Sequence, residues 1–138
     1  MKGDRGQALV FVALLLAIAA AVISGLRLSQ DAILARARTS RAGEAAVEAA
    51  TAIAADAYVA ELRRAALAAA APDVANALAA PAVREDARIA ASDLSVRNGG
   101  HVVDDVTITC GANGVEVVLM LDRVRYQAGF KADECSRR

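Results

Sequence analysis

ALVFVALLLAIAAAVISGL, residues Ala8 to Leu26, carries no charge, and its only polar side chain is Ser24. As a helix rising about 1.5 Å per residue, these roughly 19 residues span about 28 Å. That length is close to a bilayer hydrocarbon core of about 30 Å. Arg5 and Arg27 bracket the stretch; an arginine in such a place extends its charged head to the interface while its stem stays in lipid. The stretch therefore reads as a transmembrane helix over residues 7–26. Two readings compete. A helix buried in a soluble core has the same composition, and a secretory signal has the same basic start and apolar centre. Against the signal, the apolar run is longer than a usual signal core. The Ala19-Ala20-Ala21 triplet suits cleavage, but so does much of this alanine-rich chain.

The 138 residues, less the anchor, leave room for one small domain. The hydrophobic fraction of 57% is largely alanine, aromatics are 3%, and there is no Trp, so the core is expected to be small. Sixteen basic residues balance sixteen acidic ones, which removes the positive footprint of a nucleic-acid binder. Cys110 and Cys135 both lie in the C-terminal part. An even pair in a membrane-tethered domain suggests a disulfide in an oxidising compartment, with two free thiols as the alternative.

Residues 1–6, MKGDRG, form a short hydrophilic leader. Within the anchor, Ala13, Ala17, Ala21 and Gly25 recur every fourth residue. Small residues at that spacing let membrane helices approach closely, so the series is a candidate packing stripe for a partner helix. In a chain this rich in alanine, composition alone also produces such a series. Beyond the anchor, Arg27, Arg36, Arg38 and Arg41 are offset only by Asp31. Counted by the positive-inside rule, this favours an outside N-terminus, whereas the cysteine pair favours a C-terminal domain outside the cytoplasm.

Residues 27–71 are helix-prone, with no proline and with Gly43 as the one weak point. Ile33, Val47, Tyr58 and Leu62 fall on one side of that helix, away from a broad charged face. Arg27–Asp31, Arg41–Glu44 and Glu61–Arg64 have the spacing of surface ion pairs. A bend is expected at Ser24-Gly25, and an end at Ala71-Pro72-Asp73. Residues 72–100 form a connector and a short helix carrying Val83, Ala87, Ala90 and Leu94, ended by Asn98-Gly99-Gly100. A strand at Leu94–Arg97 is the competing assignment. Residues 101–138 form a small β domain. His101 to Cys110 and Val115 to Tyr126 alternate with period two around a Gly111–Gly114 turn, and Lys131 to Cys135 can add a third strand that returns Cys135 to Cys110. The expected fold class is α+β: a long N-terminal helix, the transmembrane anchor continuing outward, plus an antiparallel β-hairpin or three-stranded meander.

The chemical inventory is thin, and no enzyme is expected. His101 is the only histidine, so a two-histidine metal site cannot form. His101, Cys110 and Cys135 match no recognised zinc spacing. Asp104 and Asp105 point to opposite faces of a strand, which rules out a paired acid/base site there and suits a solvated turn. No phosphate loop or nucleophile elbow occurs. No cofactor, metal or catalytic residue is assigned.

Three features together resemble the TadE/TadG-like proteins of the tight-adherence (Flp) pilus system, within the type IV pilus and secretion class. These are the opening Arg5-Gly6-Gln7-Ala8-Leu9-Val10 running straight into the anchor, the helix from Ala35-Arg36-Ala37-Arg38 through Ala45-Ala46-Val47-Glu48-Ala49-Ala50, and Asn98-Gly99 before a valine-rich hairpin. The resemblance implies a pseudopilin-like protein of the inner membrane, its N-terminus cytoplasmic and its small domain outside. It implies a role in pilus assembly and cell adhesion, with the bilayer and other pilin or pseudopilin subunits and assembly proteins as partners through the N-terminal helix. Prepilin-peptidase cleavage between Gly6 and Gln7 is implied as well. Processed members carry a glutamate at the fifth mature position, where this chain has Phe11. That departure favours an anchored component or minor subunit over a major fibre subunit. The alternative class is a generic single-pass anchored binding module, or an accessory subunit of another envelope complex.

Overall fold

A computed structural model describes residues 4–136. Its elements are α1 (Asp4–Leu67), α2 (Val74–Ala79), α3 (Pro81–Arg97), β1 (Val106–Gly111), β2 (Gly114–Leu121), β3 (Val124–Phe130) and a 3₁₀ turn at Asp133–Ser136. The fold is α+β: a long N-terminal helix and an antiparallel sheet of order β1-β2-β3. Of the expected leader, residues 1–3 lie outside the described residues, and Asp4 already begins α1. The chain divides into two units, residues 1–37 and 38–138, with the division inside α1.

In the first unit, α1 remains helical through Ser24-Gly25. The Ser24 hydroxyl donates to the Ala20 carbonyl at 2.8 Å, so the one polar side chain of the apolar stretch is satisfied by its own helix.

In the second unit, the α1 residues that enter the core are mainly Ala42, Ala46, Ala50 and Ala54, all at 0% exposure, together with Val47. The expected apolar side was different. Ile33 is exposed, while Tyr58 and Leu62 only border the core. At Ala42 the neighbour is close: a Cβ on Gly100 would lie 2.6 Å from the Ala42 Cβ. A Cβ on Gly43 would lie 2.1 Å from Cζ of Tyr126, so the absence of a side chain there makes room for the aromatic ring. The Tyr126 hydroxyl donates to the Thr39 carbonyl at 3.3 Å. Further along, Tyr58 meets Phe130 edge to face, with ring centroids 5.6 Å apart. Gly43 is therefore a contact point with β3 and not a weak point in the helix.

The expected second strand, Val115 to Tyr126, is two strands. Val115, Val117, Leu119 and Leu121 are all buried as the alternation requires. The chain then reverses at Asp122 and Arg123, with φ of 51° and 66°. Two consecutive left-handed residues make the tight hairpin turn whose twist suits antiparallel strands. The third strand is consequently Val124–Phe130, and the expected strand at Lys131–Cys135 is replaced by the 3₁₀ turn. The first strand is shorter than expected, starting at Val106. Before it, Val103 is fully buried while Val102 is exposed. Ser92 sets this break in alternation by accepting from the Val103 N–H at 3.1 Å.

Residues 94–97 are helical, so the competing strand does not form. α3 starts on Pro81, where a missing N–H costs nothing. At its end Gly99 has φ of 80°. There Gly100 N–H donates to Ser95 O at 2.9 Å and Gly99 N–H to Val96 O at 3.0 Å, the paired bonds of a Schellman cap. α1 ends the same way, at Leu67 and not Ala71. Ala70 N–H donates to Ala65 O at 2.9 Å, Ala69 N–H donates to Ala66 O at 3.3 Å, and Ala69 takes the left-handed φ of 49°.

The two caps generate a prediction, because a left-handed alanine is strained where a glycine is not. Ala69→Gly is expected to stabilise the domain by about 0.5–1 kcal/mol, net of the extra chain entropy of glycine. Urea denaturation of the two proteins measures it, and an unchanged or lower midpoint contradicts it.

Candidate functional site

The first candidate surface is the apolar part of α1. Ten large side chains, Val10, Phe11, Val12, Leu14, Leu15, Leu16, Ile18, Val22, Ile23 and Leu26, are each between 53% and 68% exposed. That is the exposure of a helix with no protein against it. A helix buried in this chain's own core would be covered, and none of these ten side chains is. The helix is long and apolar enough to cross a membrane, and it fits a single-pass anchor.

The structure places Ala13, Ala17, Ala21 and Gly25 along this helix, and all four are exposed. Nothing lies within 4 Å of the position a Gly25 Cβ would take. The four drift by about 40° per step around the helix, so they form one slanted band. Gly6 and Gln7 fall in the first turns of α1. The surroundings of that peptide bond lie outside the described residues. Among the described residues no ion pair joins Arg27 to Asp31 or Arg41 to Glu44; Glu44 instead accepts from the Ser40 hydroxyl at 3.1 Å.

The second candidate surface is the closed end of the domain. Cys110 on β1 and Cys135 in the 3₁₀ turn are joined as a disulfide, with Cα atoms 5.2 Å apart and a sequence separation of 25. With both sulfurs bonded, neither serves as a thiolate metal ligand. Closing a loop of this length stabilises a domain by roughly 3 kcal/mol on the chain-entropy account. Tyr58 donates to Glu134, pinning the same turn to α1. Beside the disulfide is a hollow of about 260 Å³ lined in part by Asp73, Val74 and Glu134.

Glu61 ties the end of α1 to the start of α2. It is only 8% exposed. Its carboxylate accepts two hydrogen bonds from Arg64, both at 2.6 Å, and one from the Asp73 N–H at 2.8 Å. Asp73 is itself the N-cap of α2. The Arg64 hydrogen bonds, and then the Asp73 N–H, hold the Glu61 carboxyl well below its ordinary 4.5, to about 2, while burial opposes them. Sequence spacing showed the Glu61–Arg64 pair but gave no sign of Asp73, twelve residues on.

The remaining polar groups are dispersed. His101 Nδ1 lies 2.8 Å from Asp122 Oδ1 at an exposed position. Asp104 and Asp105 are solvent-exposed ahead of β1. Among the described residues no group of three or more His, Cys, Asp or Glu is placed to hold a metal ion. On the outer face of the sheet, an open depression of about 470 Å³ is lined by Thr109, Asn113, Glu116 and Gln127 over a floor that includes Gly129. Comparison with protein-family profiles, characterised proteins and solved structures gives no match.

Two outcomes follow from this geometry. Glu61 titrates at about 2 in the folded chain against 4.5 as its ordinary value, so the unfolded state binds its proton first as pH falls. The stability due to Glu61 is complete above 4.5 and is lost as pH drops toward 2. Glu61→Gln is expected to be less stable at pH 7 and to have a flatter stability profile across that window in denaturant titrations. A profile parallel to that of the parent protein would contradict the latch. In the membrane helix, Ala17→Leu or Ala21→Leu is expected to weaken crosslinking to a partner helix far more than Leu15→Ala does, because only the first two block close approach. Equal effects would reduce the band to composition.

Proposed function

We propose that this chain is a pseudopilin-like component of a tight-adherence, type IV-related pilus assembly or secretion machine, anchored in the inner membrane with its domain outside the cytoplasm. The observation that carries the reading is a single helix whose first stretch is apolar on every side and uncovered, and whose later stretch is built into a disulfide-closed α+β domain. A disulfide needs an oxidising compartment, which supports the outward domain. The role is structural, in assembly and not in catalysis. Its partners are the bilayer and other pilin or pseudopilin subunits meeting the small-residue band.

Phe11 favours an anchored subunit over a major fibre subunit. No acidic residue occurs between Asp4 and Asp31, so the span has no buried carboxylate to pair with a neighbour's new amino terminus. A carboxylate in lipid costs roughly 3 kcal/mol on insertion scales and is kept where a partner is assured. This chain acts as an anchored or minor component whether or not the Gly6–Gln7 bond is cut.

A second reading, an anchored binding module, is supported by the outer-face depression and its hydrogen-bonding rim. The two differ in where the protein goes. Expressed with a pilus machine, the chain is expected in the inner-membrane fraction and at trace level in sheared fibres. Dominance in the fibres would overturn the minor-component role, and no dependence of its location on the machine would favour the binding module. Cysteine labelling in intact cells is expected only after reduction. Labelling that needs a breached inner membrane and ignores reductant would reverse the topology.

A further inference from the structure

No further inference is drawn: the strongest candidate, the outer face of the sheet, where half-buried Val118 and exposed Met120 stand among Thr107, Arg125 and Gln127, is an unpartnered patch, and nothing in the structure shows what covers it.

Discussion

Everything in this chain follows from one solvent problem. Ten large apolar side chains between Val10 and Leu26 are left without protein against them. At about 2 kcal/mol for each side chain that fails to leave water, the unrealised gain is on the order of 20 kcal/mol. The same side chains are exposed in the unfolded chain too, so this is a solvation deficit of the helix and not a charge on the stability of the domain. A hydrocarbon solvent removes it, since in lipid the same side chains need no cover. The helix itself satisfies the backbone polar groups, and the Ser24 hydroxyl turns back onto Ala20 O for the same reason.

The domain has the opposite difficulty. Its α1 core face is alanine at positions 42, 46, 50 and 54, and α3 contributes Ala87, Ala91 and Ser95. Such faces bury little apolar area per residue, though they allow very close approach. The larger apolar groups come from the sheet, chiefly Val106, Ile108, Val115, Val117, Leu119 and Leu121. What the small helical faces lack is made up by constraints at the edges. The disulfide closes the sheet end, Tyr58 holds Glu134 there, and Glu61 binds Asp73 across the turn after α1. One detail runs against economy: the Ser95 hydroxyl is fully buried with no hydrogen-bond partner among the described residues. A buried hydroxyl without a partner costs about 1–3 kcal/mol.

The features that read clearly from sequence were those with a period. The apolar run, the alternation of Val115, Val117, Leu119 and Leu121, and the glycine stop at Gly99-Gly100 each encode one local geometry. The reversal at Asp122-Arg123 was hidden because neither residue is glycine or asparagine, so the turn rests on two strained side-chain-bearing residues. The alanine core of α1 was hidden for another reason. Alanine fits either face of a helix, and only the approach of Tyr126 to Gly43 shows which face is inside. The Glu61–Asp73 latch joins a side chain to a backbone N–H across a turn, a contact with no residue-type signature. For the candidate functional surface, the sequence specified the apolar helix and its small-residue band, but not that Ile33, which the helical wheel places with Val47, Tyr58 and Leu62, is exposed while Val47 is buried.

The same residue type therefore does two physically different things along one helix. In residues 42–54 alanine is buried from water, so close packing there is driven by the hydrophobic effect and completed by the aromatic groups of β3. In residues 13–21 alanine is exposed on a helix long and apolar enough to cross a membrane, where lipid would surround it. There the hydrophobic effect provides no drive, and small residues act only by letting backbones come near enough for dispersion forces.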